Sequence, residues 1–262
     1  MLNRIDSEEN SRIKLVRKLA SKKHRDALGK FVIEGINLVE EAINRGVSID
    51  FILISDEYEE NDNFKRLSDI ENMNAYVLSS RLFERISDAQ KGSGVLAVAS
   101  RIECSKDDFM KLPTDTNILV LDRVQDPGNI GTMIRTAVAA GYGAIAVMKG
   151  TADIFSLKVL RATAGMVFDI PIVYFTSPMD LADTVRQMGK KICVTVPLNG
   201  NVYYKCNLSS NVALVIGNEG NGISDELVQL ADERITIPMS GEVESLNAAV
   251  SAAILMYEAV RN

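Results

Sequence analysis

The chain has 262 residues and an apolar fraction of 47%, enough for two modest domains or one large one with a sizeable buried core. Its 29 Lys+Arg against 35 Asp+Glu leave a formal charge of −6, which on average disfavours a polyanionic partner, and no apolar run reaches bilayer-spanning length. Three cysteines without a CxxC pair give neither a disulfide framework nor a zinc site, and the single histidine, His24, leaves a Ser-His-Asp triad without its base.

The average charge conceals an asymmetry: residues 1–32 hold nine Lys+Arg against four Asp+Glu, whereas residues 33–101 hold seven against thirteen. The opening "MLNRIDSEENSRIKLVRKLASKK" lacks the apolar middle of a secretory signal, so a cytoplasmic protein is expected. In "NSRIKLVRKLASKKHRDALG" (residues 10–29), Ile13, Val16, Leu19 and Ala20 are spaced for one face of an amphipathic helix. Arg12, Lys14, Arg17, Lys18, Lys22, Lys23 and Arg25 fall elsewhere on it and offer a local field for nucleic-acid phosphates. Then come "KFVIEG", the helical "INLVEEAINRG", the strand-like "SIDFILIS", a polar helix around Phe64 to Met73, and the apolar "GVLAVAS". That alternation predicts a small α/β domain over 1–100. Residues 101–117, polar and containing Pro113, read as a linker.

From Ile118 the runs "ILVLDRV", "AIAVMKG", "IPIVYF", "KICVTVP", "ALVIGNE" and "RITIPM" alternate with helical patterns. Near-continuous apolar strands separated by helices predict a mainly parallel sheet covered on both faces over 118–262. Ligands in such sheets gather at loops beyond the strand C-terminal ends. Three loops qualify. In "DPGNIGTMIRTAVAAG", Asn129 is the expected N-cap, Ile130, Met133, Ile134, Ala137 and Val138 the buried stripe, and Arg135 lies off it over Gly131 and Thr132. In "ALVIGNEGNGIS", three glycines follow a strand, yet Glu219 sits among them, where a phosphate cradle would hold no carboxylate. Neither GxGxxG nor Gly-Lys-Ser/Thr is present. In "IPMSGEVESLNAAVSAAILMYEAVRN", Ser245 is the expected N-cap and Asn247 a first-turn residue of a helix with apolar face Leu246, Ala249, Val250, Ala253, Tyr257 and Val260. Ala248, Ser251, Ala252 and Leu255 make a second packing surface, expected to form a homodimer. Capped helices, a solvated Arg135 and a tight turn with a solvated Glu219 would each explain one loop alone.

Together, "NIGTMIRTA", "LVIGNEGNGI" and "IPMSGEVESLNAAVSAAILMYE" resemble, in order, the three motifs of the SpoU/TrmH family of RNA ribose 2′-O-methyltransferases in the SPOUT superfamily. The resemblance covers 118–262, while 1–100 is similar to the family's appended substrate-binding domain, itself similar to small ribosomal RNA-binding proteins. It implies a C-terminal trefoil knot, and S-adenosylmethionine held in a bent form by backbone groups of the second and third loops. That cofactor carries a sulfonium and no phosphate, so a glutamate is tolerable. By the same carry-over Asn129, Arg135, Glu219, Ser245 and Asn247 match active-site positions, and Gly217, Ile237, Met239 and Leu246 cofactor-lining ones. The family's proposed proton acceptor is Arg135, but a guanidinium stays protonated. Gripping the target phosphate or ribose and stabilising the developing oxyanion suits it better. The expected function is methylation of a ribose 2′-hydroxyl in structured RNA, ribosomal sooner than transfer RNA, by a cytoplasmic homodimer that uses no metal. Arg17, Lys18, Lys22, Lys23 and Arg25 are the expected RNA contacts. The competing readings are a non-catalytic RNA-binding or ribosome-assembly protein and a phosphate-binding nucleotide enzyme.

Overall fold

The computed structural model describes residues 3–58, 74–88, 94–240 and 245–261. Up to residue 102 it contains β1 (Asn3–Ile5), α1 (Ser11–Leu19), α2 (Lys22–Leu28), β2 (Lys30–Glu34), α3 (Ile36–Asn44), β3 (Ile49–Ser55), β4 (Ala75–Leu78), α4 (Ser80–Glu84) and β5 (Val95–Ser100). Beyond it lie α5 (Lys106–Met110), β6 (Ile118–Asp122), α6 (Pro127–Ala139), β7 (Ala144–Met148), α7 (Leu157–Thr163), β8 (Ile172–Phe175), α8 (Pro178–Gln187), β9 (Lys191–Thr195), β10 (Asn201–Val202), β11 (Val212–Gly217), α9 (Asp225–Leu230), β12 (Glu233–Thr236) and α10 (Ala248–Val260). The chain divides into two compact units, Met1–Ile102 with Asp153–Phe168, and Glu103–Ala152 with Asp169–Asn262.

The first unit is a five-stranded sheet ordered β1-β4-β3-β5-β2, parallel across β1, β4 and β3, with β5 antiparallel to both neighbours. The basic segment forms two helices, not one: α1 ends at Leu19, and Gly29, at φ 61, closes α2 in the left-handed conformation that glycine adopts freely. Ile13, Val16 and Leu19 are buried as spaced, but Ala20 lies past the end of α1 and is exposed. The polar helix expected around Phe64 to Met73 lies outside the described residues. The segment Asp153–Phe168, expected in the C-terminal domain, packs into this unit instead, with Phe155 against Phe31 at 4.8 Å between ring centroids.

That packing overturns one expected RNA contact. Arg25 is buried; its Nε donates to Asp153 at 2.6 Å and its Nη1 to the Leu19 and Ala20 carbonyls. A buried guanidinium so committed cannot reach a phosphate, because leaving Asp153 would strand a buried charge.

The second unit is a seven-stranded sheet, every pair parallel, ordered β10-β12-β9-β11-β6-β7-β8. Alternation is the reason its strands read as unbroken apolar runs. Ile118, Val120, Ala146, Val194 and Val215 join a core with Phe109, Leu181, Val185 and Leu227, while the intervening Leu119, Leu121, Ile145, Leu214 and Ile216 are equally buried on the other face. Residues 101–117 are more than a linker, since Phe109 of α5 is fully buried in that core.

On α10 the expected faces are exchanged. Its buried residues are Ala249, Ala252, Leu255 and Met256, whereas Val250, Tyr257 and Val260 are about half exposed and Leu246 just before it is exposed too. The helix is apolar on every side, so spacing alone could not choose between its stripes. The proposed dimer surface through Ala248, Ser251, Ala252 and Leu255 is therefore withdrawn: α10 turns it to the interior and to the cleft described below.

Candidate active site

Parallel pairing brings two loops together at the C-terminal ends of two central strands. Gly217, the last residue of β11, is the register partner of Asp122, the last of β6, so residues 218–219 emerge beside residues 123–126. The first turn of α6 is capped by Asp126, not Asn129: Asp126 Oδ1 accepts from the Asn129 backbone N–H at 2.7 Å, and Pro127 follows where a missing N–H costs nothing. The Asn129 side chain is thereby free for other work.

Glu219 receives it. Its carboxylate accepts from Asn129 Nδ2 at 3.0 Å, from the Asp126 N–H at 3.1 Å and from the Gln125 N–H at 3.2 Å. Partial burial pushes the Glu219 carboxyl up, but the hydrogen bonds from Asn129, from its own backbone and from Gln125 and Asp126 together outweigh burial and hold it below its ordinary value. Asn129 Oδ1 in turn accepts from Asn247 Nδ2 at 2.9 Å. Asn247, not Ser245, is the N-cap of α10, its Oδ1 accepting from the Ala249 and Val250 N–H groups. A carboxylate at one end and helix N–H donors at the other fix the orientation of both amides, so the relay Asn247→Asn129→Glu219 has a single polarity.

The glycine loop is shaped by close approach. A Cβ on Gly217 would lie 2.4 Å from the Gly222 carbonyl carbon and the Ile223 nitrogen, and Asn218 and Gly222 exchange both backbone hydrogen bonds. This turn, the segment after β12 and the start of α10 enclose a cleft of about 500 Å³. Gly217, Glu219, Ile237, Met239, Ser245, Leu246 and Asn247 all line it, with Ile216, Ile223 and Ile235 as further apolar wall. Glu219 is the sole charged side chain among its described lining residues. Such walls suit a ligand with an apolar body, backbone-readable polar edges and no phosphate, and give a polyphosphate no cation.

Arg135 is not part of the lining. It lies on the exposed side of α6, about 9 Å along the axis from Asn129 at 1.5 Å per residue, and makes no hydrogen bond or ion pair with the described residues. On α1 and α2, Arg17 is paired with Glu8 at 2.7 Å, Lys14 with Glu9, and Arg12 donates to Tyr76 Oη. Lys18, Lys22 and Lys23 are exposed and have no acidic partner among the described residues. Sequence reasoning missed Gln125, Asp126 and Asn218. For Asp126 a signal existed, an Asp-Pro pair opening a helical pattern; for Gln125 and Asn218, which act through backbone and turn contacts, none did.

The fold defines an open parallel α/β domain whose cleft lies beyond the strand C-terminal ends, where ligands gather in such sheets. Residues 116–257 match the SpoU rRNA Methylase family, and residues 10–97 the MRM3-like substrate binding domain. The chain is 38% identical over 257 residues, 98% of each chain, to the 23S rRNA (guanosine(2553)-2′-O)-methyltransferase RlmP of Bacillus subtilis. Among solved structures it is similar to an AdoMet-bound rRNA methyltransferase from Sinorhizobium meliloti, with 31% identity, 98% and 97% of the two chains covered and a TM-score of 0.86. It is similar also to the SpoU methyltransferase AviRb from Streptomyces viridochromogenes in complex with AdoMet, with 27% identity, 96% and 97% covered and a TM-score of 0.87. The chain belongs to the SpoU rRNA methylase family.

Proposed function

We propose that the protein methylates a ribose 2′-hydroxyl in ribosomal RNA, with S-adenosylmethionine as the methyl donor. The observation that carries this reading is the cleft itself: backbone edges of a glycine turn, apolar walls and one carboxylate, with no cation among its described lining residues. RlmP and the two AdoMet-bound relatives supply the substrate and donor class.

S-adenosylmethionine, when bound, supplies an electrophilic methyl on a positive sulfur. Gly217, Ile237, Met239 and Leu246 hold its apolar and backbone-facing parts, and Glu219 complements the charge. As the ribose oxygen bonds to the methyl carbon, the carbon–sulfur bond breaks to leave neutral S-adenosylhomocysteine, and the hydroxyl proton passes to solvent water. Arg135, always protonated, grips the neighbouring phosphate or ribose oxygens bidentately and stabilises the oxygen as charge develops. Asn129, Ser245 and Asn247 orient the hydroxyl and the loops around it, while Lys18, Lys22 and Lys23 meet RNA phosphates.

The working form in this proposal is a cytoplasmic homodimer. Val250, Tyr257 and Val260 are each 46–52% exposed on one side of α10, an apolar stripe that a second copy would cover. With Arg135 on the exposed side of the adjoining α6, docking there would bring Arg135 of one protomer to its partner's cleft. Calorimetry and transfer of a tritiated methyl group test the assignment: S-adenosylhomocysteine should bind well and ATP far more weakly, and label should pass to ribosomal RNA. Comparable ATP affinity with no labelled RNA would overturn it.

A further inference from the structure

Arg123, the residue after β6, holds a backbone conformation that its side chain disfavours. Its φ is +58°, in the left-handed region that residues other than glycine disfavour. Glycine would sit there freely. Two other segments and a neighbour in its own loop force the conformation: Thr151 Oγ1 accepts the Arg123 N–H at 3.0 Å, while Asn218 Nδ2 at 2.9 Å and Gln125 Nε2 at 3.1 Å both donate to its carbonyl. Asn218 precedes Glu219, and Gln125 gives Glu219 its backbone N–H, so the clamp on Arg123 and the Asn129–Glu219 relay share parts.

The side chain is aimed as well as the backbone. Its stem runs over Gly150, where an added Cβ would come within 3.1 Å of Arg123 Cγ and where φ is +97°. Nε is buried and hydrogen-bonded to nothing described, 3.6 Å from Asp122 Oδ1, although the side chain as a whole is 41% exposed. A planar guanidinium whose Nε edge faces inward presents the opposite edge, Nη1 and Nη2, outward. Asp122, itself almost fully buried, spends Oδ2 on the Ser224 N–H at 2.7 Å. No described residue pairs with that outer edge. Outliers of this kind persist where surrounding contacts over-determine them, which directs attention to function.

We propose that Arg123 is a phosphodiester-binding residue on the β7 side of the loop after β6, holding a backbone phosphate of the RNA while the neighbouring loops position the ribose to be methylated. Chemistry favours this ligand: a bidentate fork matches two phosphate oxygens, and no described residue lining the cleft is a cation that would compete for them. Asp122 is buried behind Nε, Glu219 is tied down by Asn129 and two backbone N–H groups, and Asp126 Oδ1 caps α6, so none of the three is paired with the outer edge. The inference rests on the methyl-transfer reading above.

The test uses Arg123→Gly and Arg123→Lys in the full chain, with ribosomal RNA from cells lacking the protein as substrate. Arg123→Gly removes the fork and relieves the backbone but takes from buried Asp122 the charge 3.6 Å away, so its melting temperature should fall by no more than a few degrees while S-adenosylhomocysteine affinity is unchanged. Its KM for RNA should rise about 10- to 100-fold, the worth of one charge-assisted bidentate contact, with a far smaller fall in kcat. The slope of log KM against log salt should become shallower by about one. Arg123→Lys should recover the salt slope and only part of the KM. If Arg123→Gly leaves KM and salt slope unchanged, or if a lower melting temperature accompanies equal losses in cofactor and RNA affinity, Arg123 merely plugs the space beside Asp122 and the proposal fails. A wild-type protein that methylates no RNA would bring down the methyl-transfer reading and this inference together.

Discussion

Asn247 uses both ends of its amide, one to cap α10 and one to hold Asn129, and the two uses can be separated. Asn247→Asp keeps an oxygen for the Ala249 and Val250 N–H groups, with an added favourable charge at a helix N-terminus, but turns an oxygen toward Asn129 Oδ1. Its melting temperature should stay within a few degrees of wild type while methyl transfer falls at least tenfold. Equal loss of both would reduce Asn247 to a cap. Glu219 makes a different prediction, in pH. Because its folded-state carboxyl lies below the ordinary value of 4.5, its stabilising contribution is full above that value and is lost as pH falls through the lower folded one. The stability gap between wild type and Glu219→Gln should be constant from neutral pH to about 5 and close on further acidification; a gap that persists unaltered in acid would contradict the hydrogen-bonded carboxylate. The sequence made Asn129, Glu219 and Asn247 legible as polar residues among glycines and small residues. It could not pair them, since the partners lie 90 and 118 positions apart, and it placed the caps wrongly because Asp126 and Asn247 are as good at capping as the residues chosen.

The two basic helices and the last helix show how far spacing alone carries. On α1 and α2 the apolar positions were readable, but charge was not divisible into roles: Arg25 is locked to Asp153, which lies 128 residues later, whereas Lys22 and Lys23 are exposed. Arg25→Ala should therefore destabilise the fold, read as a lowered denaturation midpoint, because buried Asp153 loses its 2.6 Å ion-pair partner and keeps only Arg101 at 3.5 Å. Neutralising Lys22 and Lys23 together should leave the midpoint alone, weaken RNA binding and flatten its salt dependence. An unchanged salt slope would move the RNA path off these helices. On α10 the buried Ala252 sits in the chain's own core, so Ala252→Arg should prevent folding instead of only splitting a dimer. Tyr257→Glu, on the exposed stripe, should give a folded monomer by light scattering with much reduced methyl transfer. Full activity in that monomer would refute a site shared between protomers.

At the scale of the whole chain, the parallel sheet, its covered faces and the C-terminal strand ends where ligand loops gather were all implied by apolar runs alternating with helices. The crossing of Asp153–Phe168 into the first unit was not, because a short apolar segment such as "DIFSLKVL" says nothing about which core it joins. The same is true of Arg123, whose left-handed backbone has no sequence signature in a residue other than glycine. An acidic chain whose Lys+Arg outnumber Asp+Glu over residues 1–32 can hold a large RNA without binding polyanions at large, since the local field governs contact. The most direct test of the central claim is a map of ribose 2′-O-methylation across ribosomal RNA from cells lacking this protein, repeated after supplying wild-type protein or Arg135→Lys. One ribose should lose its methyl group, regain it with the wild-type chain and remain bare with Arg135→Lys, which keeps the charge but not the fork. A map in which every ribose is unchanged by loss of the protein would contradict the account.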